Sequence, residues 1–224
     1  MGSRALDQFI ETKRTTLKRL PEKGSFDRAT VHAILDETLL CQVGFIHNGS
    51  PFVIPTIHGR DDDVLYLHGS SASRMLRVMR TGTEVAVSVT LLDGLVLARS
   101  LFHSSMNYRS VTIFGTARQT EGEEKLRGLE VISEHTLPGR WNHARRPSDK
   151  ELRATSVMAI PIEEASAKIS TGPPEDEEED YELKVWAGVV PLRLTAGNPE
   201  PDPRLADGEL PDHVRELIAR YRNG

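Results

Sequence analysis

Apolar and polar positions alternate in part over Leu39–His47 and clearly over Glu84–Leu92, and with the other short runs between residues 39 and 171 this predicts a mainly β protein with a few helices. Leu39–His47, Pro51–Gly59, Val64–His68, Glu84–Leu92, Leu95–Ala98, Tyr108–Gln119, Ser156–Ile162 and Ala167–Thr171 read as strands, and Leu183–Thr195 returns to an apolar pattern. Asn48-Gly49 and Asp93-Gly94 are hairpin signals, because a type I′ turn needs positive φ at both central residues. The spacing changes to a helical one in three places. Asp27 is placed as an N-cap for a helix to about Thr38, with Val31, Ile34 and Leu35 on one face. Arg74–Arg80, stopped by Gly82, predicts a short helix, and Glu121–His135 carries Leu126, Leu129 and Ile132 at helical spacing. Pro138–Asp149 reads as irregular, and a last short helix starts near Asp212. Short strands joined by hairpins, with few helices between them, imply a closed or nearly closed antiparallel barrel.

The chain divides into an irregular arm over residues 1–25, a single barrel domain over 26–196, and a Pro/Gly/Asp-rich tail over 197–224. Within the domain, 172–181 is an acidic, Pro-containing loop expected to be flexible. A length of 224 residues suits one such barrel. The net charge of −5 argues against nucleic acid as the main partner. No apolar run approaches the ~18 residues that a membrane helix requires. With neither a secretory leader nor a second cysteine beside Cys41, the expectation is a soluble, cytoplasmic protein without disulfides.

Candidate chemistry gathers at strand ends. His68-Gly69-Ser70-Ser71-Ala72-Ser73-Arg74 closes a strand and opens a helix, where N–H groups, serine hydroxyls and a guanidinium suit an anion. An ordinary serine-rich cap with a surface arginine is the plainer reading. In Asn107-Tyr108-Arg109-Ser110 a cation stands in an apolar strand, so Arg109 must be paired or face a polar cavity. Pro55, in Phe52–Thr56, marks a sheet edge or opening, since proline cannot donate to a ladder. Trp186 either stacks on an aromatic ligand or fills a core or interface. The histidines lack metal-site spacing, the serines lack a nucleophile elbow, and no Rossmann or P-loop glycine pattern is present.

Several segments occur together in a recognisable order: VIPT at Val53–Thr56, YLHGSSASR at Tyr66–Arg74, TLLDGLVLARS at Thr90–Ser100, MNYRSVTIFGTAR at Met106–Arg118, PGRW at Pro138–Trp141 and VWAGVVPL at Val185–Leu192. The chain resembles the pyridoxamine 5′-phosphate oxidase-related, FMN-binding split-barrel family, in its flavin-nucleotide-binding and nitroimidazole-reductase-like branch. The resemblance implies a six-stranded antiparallel Greek-key split β-barrel and a homodimer with FMN at the interface. It further implies that Ser73, Arg74 and Arg109 hold the FMN phosphate. By the same resemblance Val53, Ile54, Pro55, Thr56, Tyr66, Leu67 and His68 line the isoalloxazine ring, with Asn107 and Ser110 close by, and Trp186 closes the pocket from the other subunit. The Arg-x-His of the vitamin B6 oxidases is replaced by Ala187-Gly188 after Trp186, which argues against that substrate.

Two functions are therefore expected. One is an oxidoreductase that passes electrons from a reduced nicotinamide, through FMN, to a small electrophile. The other is a non-catalytic binder of flavin or haem on the same barrel, with His68 or His103 as the iron ligand. No catalytic acid or base is assignable, and hydride transfer needs none.

Overall fold

The computed structural model describes residues 7–205 and 208–223; the outermost part of the expected arm (1–6) and residues 206, 207 and 224 of the expected tail lie outside them. The elements in chain order are β1 (Gly24–Ser25), α1 (Arg28–Glu37), β2 (Leu40–His47), β3 (Ser50–Asp61), β4 (Val64–Ser70), α2 (Arg74–Met79), β5 (Glu84–Leu97) and β6 (Ser105–Thr116). They continue as β7 (Arg118–Gln119), α3 (Gly122–Thr136), α4 (Arg140–His143), α5 (Asp149–Ala154), β8 (Thr155–Pro161), β9 (Glu164–Ser170), β10 (Gly188–Pro191) and α6 (Asp212–Asn223).

All strand pairs are antiparallel, in the order β1-β9-β6-β5-β2-β3-β4-β8-β7, with β10 on the distal half of β5. β3 changes partner along its length: Ser50–Ile57 pairs with β2, and His58–Asp61 pairs with β4. This switch bends the sheet into a split barrel. The inward positions pack into one core, which includes Val43, Phe45, Leu65, Leu67, Val87, Val111, Ile113, Met158 and Ile160. Each such side chain stabilises the fold by roughly 1.5–3 kcal/mol on burial. A second cluster, Tyr66, Val131, Ile132, Val157 and Ala159, seals α3 onto the outside of β4 and β8.

Local sequence accounts for several elements. Asp27 caps α1 by accepting from the Thr30 amide at 2.8 Å, and Val31, Ile34 and Leu35 face the core. Asn48 (φ 51°) and Gly49 (φ 75°) form the β2–β3 hairpin with the positive φ values that a type I′ turn demands. Residues 7–25 lie against the barrel: Phe9 is in the core, β1 pairs with β9, and Arg14 grips Glu84 at 2.7 and 2.8 Å.

Asp93-Gly94 is not a hairpin turn, contrary to the sequence expectation. β5 runs straight through it, with a register shift between Leu92 and Gly94, and the chain turns over residues 98–104 instead. The glycine answers to packing. A Cβ at Gly94 would lie 3.0 Å from the Val190 carbonyl oxygen and 3.1 Å from Val189 Cγ1, so β10 can cross only where no side chain stands. The stretch expected to be irregular, Pro138–Asp149, contains α4 and the start of α5, and the apolar run 183–195 gives only the four residues of β10.

A histidine pair fastens α1 to β3 and α3. His58, fully buried, donates from Nε2 to the Leu35 carbonyl at 3.1 Å, and His135 Nε2 donates to the Thr38 carbonyl at 2.7 Å. Their ring centroids are 4.7 Å apart. Burial first, and then the charge of His135, push the His58 imidazole down to about 4; the Leu35 carbonyl and Asp36 oppose this only partly. The unfolded chain therefore binds a proton below about pH 6.5 that the folded chain refuses until about pH 4. Stability should fall by about 2–3 kcal/mol between pH 7.5 and 4.5 from this residue. Urea unfolding at the two pH values checks this, and a His58→Gln variant should show a flatter dependence.

Candidate functional site

The residues expected to bind a cofactor fall into three places. Val53, Ile54, Pro55 and Thr56 lie on the β2-paired half of β3, where alternate side chains point out of the barrel; Val53 is 67% exposed, and Ile54 packs against the core. Phe52, beside them, carries the Arg74 guanidinium 4.7 Å from its ring centroid. Arg74 is the first residue of α2, and the Ser73 hydroxyl makes no capping bond there. The Ser73 amide instead donates to the Ser70 carbonyl at 2.8 Å, which tightens the turn that follows His68.

The second place is the end of β4. Leu67 lies in the main core and Tyr66 in the cluster under α3. Their backbones are paired to β3 on one side and β8 on the other. Both side chains are thus packed within the chain, so any contact with a ring would fall to their backbone. His68 differs. It is half-buried, and its Nδ1 is completely buried with no hydrogen-bond partner among the described residues. Burial alone pushes its imidazole below the ordinary histidine range, so the ring is neutral at physiological pH. A neutral imidazole is the form that can ligate iron, and the enclosed Nδ1 could do so only if its surroundings opened to admit the group.

The third place is the β5–β6 hairpin. Arg109 Nε and Nη2 donate to Asp93 at 3.0 and 2.8 Å, and Nη2 also donates to Glu37 at 2.9 Å. The guanidinium thus has the pairing that its apolar strand demands, while lining a cleft of about 970 Å³ with Leu192, Arg220 and Tyr221. Within one chain Arg74 and Arg109 are engaged separately, one on Phe52 and the other between two carboxylates. Asn107 donates to the Gly172 carbonyl at 3.0 Å, and the Ser110 hydroxyl reaches the Lys168 carbonyl at 3.4 Å. At the hairpin tip Leu101 and Phe102 are exposed, and His103 lies 3.6 Å from Glu177. Trp186 is 65% exposed.

Sequence reasoning gave no weight to Asp176, in the acidic segment. Its buried carboxylate accepts from the Arg99 and Ser100 amides at 3.0 Å each and from the Arg99 guanidinium at 3.2 Å. Burial pushes this carboxyl up, but those donated bonds outweigh it and hold the group below the usual range. Within an EDEEED run no local signal separates this residue from its neighbours.

The fold is thus an antiparallel split barrel. A family model described as pyridoxamine 5′-phosphate oxidase matches residues 27–169, and the chain belongs to that family. Among solved structures it is similar to the flavocytochrome Anf3 from Azotobacter vinelandii, at 42% identity over 92% of this chain and 96% of that one, with a TM-score of 0.86. It is also similar to an FAD- and haem-binding protein from Mycobacterium smegmatis, at 40% identity over 87% of this chain and 97% of that one, with a TM-score of 0.84. A Bacteroides thetaiotaomicron protein assigned by name to 5-nitroimidazole antibiotic resistance follows at 25% identity, over 64% of this chain and 84% of that one, with a TM-score of 0.55. No match is found among curated proteins. Among the described residues no helix is long and apolar enough to cross a membrane.

Proposed function

We propose that the protein is a redox protein that binds both a flavin and haem, working as a dimer of split barrels in the cytoplasm. The observation that carries the haem half is His68, whose imidazole is neutral and whose buried Nδ1 has no partner among the described residues. A buried polar atom left unpaired costs ~1–3 kcal/mol, so a bound group that uses it offsets a standing penalty. His68 is favoured over His103, which faces Glu177 at the hairpin tip. The flavin half is supported by the family, and by the flavocytochrome and the FAD- and haem-binding protein that are 42% and 40% identical.

The outward residues Val53 and Pro55, with the backbone of Ile54 and Thr56 between and beside them, would line the flavin ring, and Ser73 and Arg74 would hold phosphate. Ser110 and Asn107 would border the ring, and Trp186 of one chain would cover the site of the other. Arg109 would contribute only by exchanging a carboxylate partner for phosphate. The flavin is FMN, as the family resemblance implies, or FAD, which shares its ring. Bound flavin supplies the hydride and electron chemistry; the residues of this chain bind it, orient it and exclude water. A dimer is supported by the apolar side chains left outside, among them Leu40, Ile46, Val53, Leu95, Leu97 and Met106.

Adding NADPH without oxygen to the purified protein should bleach the flavin bands, and sedimentation of the same sample should show two chains per particle. A flavin that no donor bleaches would leave a binder without the nicotinamide step. A monomer that keeps its flavin would remove the shared site.

A further inference from the structure

The Pro138–Trp141 turn takes no part in the proposed flavin and haem site. It builds a separate cleft of about 510 Å³ on the outer side of α3, within the ~300–1,000 Å³ common for small-molecule sites. Leu126, Pro147 and Leu152 give it an apolar lining, and Trp141 an aromatic wall. Both sides are braced. The Glu134 carboxylate accepts from the Gly139 amide at 2.6 Å and the Trp141 amide at 2.8 Å, which fixes the tryptophan at the start of α4. On the other side Arg145 pairs with Glu151 through two bonds of 3.0 and 2.8 Å, and a Ser148–Glu151 capping box anchors α5. Arg146 and Pro147 lie between these anchors. The Arg146 guanidinium rests 4.1 Å from the centroid of the Trp141 ring and donates to Asn142 Oδ1 at 2.9 Å.

Charge selects the ligand. Arg127 is held by Asp61 at 3.0 Å and by Glu130 at 3.4 Å, so its guanidinium is committed, one carboxylate charge is left over on that side of the cleft, and Arg146 is the cation still open to a ligand. Glu123 stands in the first turn of α3, where the helix N-terminus favours a carboxylate. The Arg146 side chain is left with an aromatic face and an amide oxygen. An arginine so placed can take a carboxylate through two parallel bonds. We propose that this cleft binds a planar aromatic carboxylate, its ring against Trp141 and Leu126 and its carboxylate on Arg146. This does not rest on the flavin and haem reading.

The test is calorimetric titration of the purified protein, with its cofactors, by naphthalene-2-carboxylate and by the matching naphthylmethylammonium. The carboxylate should bind saturably, with Kd on the order of a millimolar or tighter for a ligand of this size. The ammonium should bind more weakly. Arg146→Ala should weaken the carboxylate roughly tenfold or more while leaving cofactor content unchanged. Leu126→Glu, at a half-exposed position that tolerates charge, should abolish binding and serves if the first variant does not fold. Absence of saturable binding, equal binding by Arg146→Ala, or tighter binding of the ammonium would overturn the proposal.

Discussion

A His68→Ala variant should lose its haem Soret band and keep its flavin bands. The expectation follows from the position of His68 at the end of β4. Its neighbours Tyr66 and Leu67 are packed in two cores, but its own Nδ1 is buried without a partner among the described residues. Haem would lose its ligand, whereas Val53–Thr56, Ser73 and Arg74, on other elements, would still hold flavin. Stability gives an independent reading. Were His68 only a packing residue, its removal would destabilise the chain at every cofactor level. Because it carries an unpaired buried nitrogen, the cofactor-free variant should instead equal or exceed the parent in urea resistance, since ~1–3 kcal/mol of desolvation cost disappears. Haem retained at parental levels in the variant would remove His68 from the site.

The largest effect on folding should come from Gly59→Ala. A Cβ there would sit 2.8 Å from Ile132 Cα, 2.9 Å from Ile132 N and 2.9 Å from Val131 C. These are backbone atoms of α3 and cannot rotate away. Either the helix moves off β3, breaking the cluster around Tyr66, Val131 and Ile132, or the strand does. Overpacking of side chains costs ~1–3 kcal/mol, and a clash with helix backbone belongs at or above the top of that range. For a chain of this size that is a drop in melting temperature of roughly 10 °C. Gly49→Ala is the control: a Cβ there meets nothing within 4 Å, and only its φ of 75° opposes the change. It should cost ~1 kcal/mol. Equal melting temperatures for the two variants would contradict the close approach of α3 to β3.

What could be read in advance was local. The Val31, Ile34, Leu35 stripe of α1, the Asn48-Gly49 turn and the alternation of Glu84–Leu92 in β5 each rest on a few adjacent residues, and the structure reproduces them. What could not be read depends on distant contacts. Gly94 looks like a turn glycine until β10, almost a hundred residues later, crosses it. Arg109 stated a need for a partner without naming one, and Glu37 arrives from 72 positions away. Asp176 is one carboxylate in an acidic run until the Arg99 and Ser100 amides close on it. The family order of motifs was legible because it spans many such contacts at once. The motif did not say where each side chain goes: the adjacent Tyr66 and Leu67 pack into two separate clusters.

The central claim is one chain with two redox groups. Its most direct test is to release the chromophores from freshly purified protein, identify them by mass, and count flavin and haem per chain. The account predicts FMN or FAD together with haem, each approaching one per chain after reconstitution, with haem absent from His68→Ala alone. A protein that takes up neither group, or that binds haem equally well with and without His68, would contradict it.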